Sequence, residues 1–303
     1  MLRAFFLYLS RVPRMQDRIV RLAPTRRAVR RFIAGESLTE ALAAIVELNR
    51  RGSKASLNFL GENVHTPDEA RAAQSEYFRQ VEEIHRRDLD SNISVKLTQL
   101  GLDLSTDLCF ELVRAIVERA QGYDRDVEID MEGSDYTDRT LEIVHRLRDE
   151  FEGVGVAIQA YLYRSEKDLR PLIARGIKVR LVKGAYREPS DRAFPRKRQV
   201  DENYRRLMDI LLAEASRFAI ATHDIRMIRH AVESIRAHGI TQPRTFEFQM
   251  IYGIRRDLQQ KLLEEGWPLR VYVPYGTHWY PYFMRRLAER PANVGFILRH
   301  LFR

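Results

Sequence analysis

Short apolar runs recur along the chain from residue 56 onward, and each gives way to a longer stretch with helical periodicity. The runs are SLNFLG at 56, ISVKLT at 93, DVEIDM at 126 and VGVAIQAY at 154. They continue with IKVRLV at 177, RFAIAT at 217, RTFEFQM at 244 and LRVYVP at 269. All are rich in β-branched or aromatic residues and short enough to be strands. Helix starts follow at TPDEA (66), STDLCFELV (105), YTDRTLEIV (136) and SEKDLRPLI (165). Ser105 and Ser165 are the expected N-caps there, with acids in the first turn. Eight strand-then-helix units in about 250 residues predict a (β/α)8 barrel over residues 54–303, behind a helical arm over 1–53. A doubly wound sheet is the alternative. It lacks a dinucleotide fingerprint, since GVGVAI at 153 places Ile158 where a third glycine is needed.

In a barrel the carboxyl ends of the strands build the active site. Here those ends are polar in almost every unit. Asn58, Gly61 and Glu62 follow the first strand, Lys96 ends the second and Asp130 the third. Gln159 and Tyr161 close the fourth. Arg180, Lys183, Gly184 and Tyr186 belong to the fifth, Thr222, His223 and Asp224 to the sixth. Glu247, Gln249 and then Ile251 lie on the seventh, Tyr272 and Tyr275 on the eighth. Arg180 alternates with Val179 and Leu181, so it faces inward if they face the helices. A buried arginine needs accepting partners, and a cofactor would be one. The last helix, YPYFMRRLAER at 280, adds Tyr282, Arg285, Arg286 and Glu289 at spacings of three and four, which can share one face. Two guanidinium forks beside a phenol suit a carboxylate.

Charge changes the picture at one end only. The net charge is +9, and residues 1–31 hold nine arginines against Asp17, leaving the remainder with 42 basic and 41 acidic residues. Phe5, Phe6, Leu7 and Leu9 interleave with those arginines. The arm therefore suits an anionic membrane surface, or packs on the body with its charges in water. Nucleic acid is not an expected partner. Cys109 is the only cysteine, which points to a reducing, cytoplasmic compartment, with peripheral contact to the inner membrane face as an option. No apolar run has bilayer-spanning length and no signal-peptide cleavage site is expected. His65, His223 and His278 lack metal-ligand spacing, so no metal is expected. Two chemistries remain open on the residues alone. One is a redox enzyme with its cofactor over the barrel mouth. The other is a Schiff-base lyase or aldolase on Lys96 or Lys183.

Seven segments occur together in a fixed order: LGENV, VEIDMEGSDYTDRTL, IQAYLYRSEKDL, RLVKGAYREP, ATHD, FEFQMIYGIRRDLQ and RVYVPYGTHWYPYFMRRLAERPANVGFILR. Over roughly residues 55–303 the chain resembles the proline dehydrogenase family, in its monofunctional bacterial form. The resemblance implies a distorted (β/α)8 TIM-type barrel with extra N-terminal helices and the last helix across its mouth. It implies non-covalent FAD and oxidation of L-proline to Δ1-pyrroline-5-carboxylate, with hydride passing from C5 to flavin N5 and electrons on to a quinone. It assigns Arg285 and Arg286, assisted by Lys96, to the substrate carboxylate, and Asp130 to positioning them. Tyr186, Tyr272 and Tyr282 become rings around the pyrrolidine, with Ile251 as an apolar wall. Gln159, Arg180, Lys183, Gly184, Thr222, His223, Gln249 and Glu289 fall on the cofactor side. A related cyclic imino acid is the alternative substrate. Asn58 stands where many members carry an acid.

Overall fold

The computed structural model describes residues 30–237, 239 and 246–289, with side chains described through residue 286. The basic segment before residue 30 and the side chain of Glu289 lie outside the described residues. Eight strands form one closed, all-parallel barrel in sequence order. They are β1 (Lys54–Phe59), β2 (Ser91–Val95), β3 (Val127–Ile129) and β4 (Val154–Gln159), then β5 (Lys178–Val182), β6 (Phe218–Ala221), β7 (Phe246–Ile251) and β8 (Leu269–Tyr275). Each expected run overlaps its strand, and the doubly wound alternative is excluded by closure of β1 on β8.

Helix α1 (Leu38–Arg50) precedes the barrel. The others each follow a strand: α2 (Pro67–Arg86), α3 (Thr106–Gln121), α4 (Thr137–Glu150), α5 (Ser165–Ala174), α6 (Lys197–Glu214), α7 (Ile225–Ala237), α8 (Arg256–Glu264) and α9 (Trp279–Glu289). Local chemistry sets their starts. Ser37 and Glu40 form a capping box on α1, while Thr66 caps α2 with Pro67 in its first turn. Ser105 caps α3 as expected, accepting from the Leu108 amide. Ser165 does not cap. It lies inside α5, and its hydroxyl donates to the Gln159 and Leu162 carbonyls instead.

The helices bury one face against the outward positions of the strands. Val179 and Leu181 of β5, Val127 and Ile129 of β3, and Val271 and Val273 of β8 all belong to this single apolar layer. Helix α1 joins it through Leu38, Ala41, Leu42 and Ile45. Helix α9 is anchored separately. Trp279, Tyr280, Phe283 and Met284 pack with Phe32, Ile33, Leu60 and Ile254 at the top of the barrel. The Trp279 indole N–H also donates to Glu36 at 3.1 Å.

Candidate active site

The barrel interior is charged. Lys178 Nζ lies 2.8 Å from Glu128 and 2.9 Å from Glu247. Arg180 Nε lies 2.9 Å from Glu128 Oε2. Arg270 Nε donates to Glu247 at 2.8 Å, and Gln249 donates to both Glu128 and Glu247 at 3.0 and 2.9 Å. The contacts of Lys178, of Arg180 and of Gln249 with Glu128 join strands that are not neighbours, so they run through the interior. The opposite parity of β5 is therefore inward, as the alternation predicts. Room comes from β4 and β6, which offer Gly155, Ala157, Ala219 and Ala221 at the inward positions in register with these side chains. A Cβ at Gly155 would stand 3.3 Å from Lys178 Cβ and 3.5 Å from Glu128 Cγ.

Above this floor the network opens to the mouth. Asp130 takes Lys96 Nζ and the Tyr272 hydroxyl on Oδ2, each at 2.7 Å. On Oδ1 it takes Ser94 at 2.6 Å and Arg180 at 2.9 Å. The Arg180 guanidinium lies 5.6 Å from the Tyr272 ring centre. Glu128 and Asp130 thus compensate the Arg180 charge, and its burial does not by itself require a cofactor.

Helix α9 supplies the roof. Arg285 meets Glu62 through Nη2 at 2.5 Å and Nη1 at 3.2 Å, a two-pronged pair, and sits 5.6 Å from the Tyr186 ring centre. Arg286 lies 5.2 Å from the Tyr282 ring centre and is buried. On the opposite rim Lys183 is held by Asp201 at 2.5 Å and Asp224 at 2.8 Å. His223 Nε2 accepts from the Ile251 amide at 2.8 Å, which fixes the proton of a neutral ring on Nδ1. Gln159 donates to the Glu132 carbonyl at 2.8 Å. Gly184 has φ +111°, and a Cβ there would meet the Tyr161 ring at 2.3 Å, so only glycine fits. Floor and roof enclose a cavity of about 610 Å³, in the range of small-molecule sites.

Known proteins settle what kind of chain this is. Residues 41–299 match the family described as proline dehydrogenase. The chain belongs to the proline dehydrogenase family. Proline dehydrogenase 1 of Bacillus subtilis subsp. natto is 41% identical over 303 residues, covering 100% of both chains. The proline dehydrogenase of Deinococcus radiodurans is 40% identical over 278 residues, covering 90% of this chain and 89% of its own. Among solved structures, proline utilization A (PutA) from Bdellovibrio bacteriovorus, inactivated by N-propargylglycine, superposes with a TM-score of 0.81 at 25% identity. The match covers 87% of this chain and 32% of that longer one. Family membership makes the chain an oxidoreductase of proline catabolism.

Of the residues expected at a proline dehydrogenase site, the cavity brings together Lys96, Asp130, Tyr186, Ile251, Tyr272, Tyr282, Arg285 and Arg286. It also gathers Gln159, Arg180, Lys183, Gly184, Thr222, His223 and Gln249. Asp130 reaches Lys96 and Arg180, whereas Arg285 takes Glu62. The partners were harder to read. Glu62 was visible as a strand-end acid, but nothing local ties it to Arg285. Glu128, Lys178 and Arg270 went unread, although the alternation of polar residues in VEID, KVR and RVY carries their inward parity.

The electrostatics follow from this pairing. Burial alone would raise the Asp130 carboxyl, but Lys96 and Arg180 hold it well below the usual carboxylate range. Burial likewise works against the Lys96 ammonium, and Asp130, Tyr186 and Glu62 more than offset that, so Lys96 stays charged. Burial and the Asp130 charge keep the Tyr272 phenol protonated. Glu132, just beyond β3, differs. Burial pushes its carboxyl up to about 7, against the hydrogen bonds from Thr98 and the pull of Lys96.

Proposed function

We propose that the barrel mouth binds FAD and L-proline together and oxidises proline to Δ1-pyrroline-5-carboxylate. The observation that carries this reading is the convergence of Lys96, Arg285 and Arg286 on one cavity above the buried Asp130–Arg180 pair. The lining fits a flavin. Fixed cations stand at Arg180 and Lys183, and a neutral imidazole stands at His223. Gln159, Arg180, Lys183, Gly184, Thr222, His223 and Gln249 would hold the cofactor. Glu289 joins them by family resemblance alone. Bound there, FAD supplies the two-electron oxidant that accepts hydride from proline C5.

The chain's own groups do the rest by placement. Arg285 and Arg286 fork onto the substrate carboxylate, and Lys96 adds a fixed ammonium. Asp130 keeps Lys96 and Arg180 aimed. Glu62 occupies Arg285 and must yield at least one prong to the substrate. Tyr186, Tyr272, Tyr282 and Ile251 exclude water around the ring. The amine proton leaves to solvent before hydride transfer, since the neighbouring lysine is already an ammonium. The same charge state counts against a Schiff-base reaction, which needs a lysine of lowered pKa. Lys183, clamped by two carboxylates, is no better a nucleophile. Electrons then pass to a quinone, and the basic segment within residues 1–31 brings the barrel to the membrane face. No helix among the described residues is long and apolar enough to cross a membrane.

The direct test is an anaerobic visible spectrum of the purified protein before and after L-proline. Flavin bands that bleach support the reading. Bands that persist with proline but bleach with another cyclic imino acid would redirect the substrate, and a protein that binds no FAD would overturn the whole proposal. In Arg285→Met, loss of one fork costs about 2–5 kcal/mol of binding, a proline KM increase of roughly 30-fold or more, with FAD retained.

A further inference from the structure

The segment between β5 and α6 carries Lys183, Gly184 and Tyr186 toward the cavity. Its other side grips two neighbouring loops. Glu188 Oε1 accepts from the Ser134 amide at 2.8 Å and from the Tyr161 hydroxyl at 3.3 Å. Glu188 Oε2 takes the Ser134 hydroxyl. Arg192 donates to Ser134 Oγ at 3.0 Å and pairs with Asp135. A backbone bridge continues the grip: the Tyr163 amide donates to the Arg192 carbonyl at 3.0 Å, and the Phe194 amide to the Tyr161 carbonyl at 2.8 Å. Ser134 opens the 3-10 turn Ser134–Tyr136, only four residues after Asp130. Tyr161 is the ring on which Gly184 lies.

We infer that Glu188 is a positioning residue for proline oxidation: its carboxylate ties the β3 and β4 loops to the β5 loop and so sets the place of Tyr186 over the substrate. The argument is one of constraint. Tyr186 is two residues from Glu188, and its ring lies against Arg285. The segment is irregular, with one turn closed on the Pro189 carbonyl, and has no ladder of its own beyond the single bridge. Without the Glu188 bonds, the constraints left between Gly184 and Arg192 are the packing of Gly184 on Tyr161, the Tyr186 ring against Arg285, the Tyr163 hydroxyl bond to the Ser190 carbonyl at 2.9 Å and the Arg192 contacts, and among these only the ring contact holds residues 185–188 directly. A loss of alignment of about 1 Å is enough to change a positioning-dependent rate by orders of magnitude. A carboxylate is the right group, because one donor is a backbone amide and two are hydroxyls, and it accepts all three at once. Arg192 beside the same serine supports its charge.

This inference rests on the reading of Tyr186 as a substrate-facing ring, and the test separates the two. Steady-state proline KM and kcat are measured for the FAD-loaded parent, Glu188→Ala, Glu188→Gln, Ser134→Ala and Tyr186→Ala. Glu188→Ala should raise KM about tenfold, with FAD content unchanged. Glu188→Gln, which keeps an acceptor oxygen, should recover part of that loss. Ser134→Ala should lie between parent and Glu188→Ala, and cleavage within residues 187–196 by added protease should speed up in the same order. If Glu188→Ala keeps KM within twofold of the parent while Tyr186→Ala raises it, the latch is wrong and the site reading stands. If Tyr186→Ala is also silent, the site reading itself is wrong. Should Glu188→Ala fail to fold, Ser134→Ala decides: an unchanged KM there overturns the inference.

Discussion

The two faces of β5 are built on opposite principles. Val179 and Leu181 point outward into a layer of apolar side chains under the helices. Lys178 and Arg180, on the same strand, point inward into carboxylates from β3 and β7. The outer face holds by area removed from water, and any residue of similar volume serves it nearly as well. The inner face holds by specific pairing, and each member is indispensable because its removal strands a buried charge. The outer layer therefore carries the fold, and the inner one carries geometry to the mouth.

Substitutions can break that contrast in order of size. Asp130→Ala strands Lys96 and leaves Arg180 with Glu128 as its one carboxylate, and should cost roughly 3–5 kcal/mol of stability, with kcat/KM down at least about 100-fold. Chemical denaturation and proline turnover read both, and a stable, active variant would end the idea of an interlocked interior. Leu181→Ala, one position from Arg180, should cost about 2–5 kcal/mol through a cavity. Its proline KM should stay within twofold of the parent, and a large KM change there would mean the two faces are not separable. Tyr272→Phe removes one hydrogen bond to a charged acceptor, worth about 1.5–3 kcal/mol. It should shift KM more than melting temperature, because Asp130 keeps its other three partners.

The last effect is one of pH. Glu132 titrates near 7 in the folded protein against an ordinary value of 4.5. The folded state therefore holds this proton more tightly than the unfolded chain does. The associated stability is fully present below about pH 4.5 and is lost as pH rises through about 7. Glu132→Gln stays neutral throughout. Its stability relative to the parent should climb across that window and level off above it, and a pH-independent difference would show that Glu132 ionises normally.

Strands were legible in the sequence because each is short, apolar on one parity and bounded by turn residues. Arg180 was legible as inward for the same reason. Pairings were not. Arg285 and Glu62 are separated by 223 residues, and Lys178 and Glu247 by 69. No local rule links such positions until the barrel closes. Ser165 misled because a serine before acids suits a cap equally well whether or not better acceptors lie behind it. The arginine-rich start was legible as charge alone, and its role still rests on the proposal above.

The interior sum has a further consequence. Lys96, Lys178, Arg180 and Arg270 face three ionised carboxylates, Glu128, Asp130 and Glu247, and the neighbouring Glu132 is protonated below about pH 7, so below that pH the barrel core keeps one positive charge in excess. A surplus of that sign beneath a narrow mouth acts as a standing electrical bias on whatever enters. Small monocarboxylates, and halide at high concentration, should compete with proline before shape is tested at all. The buffer anion then becomes a hidden variable in every affinity measured on this enzyme.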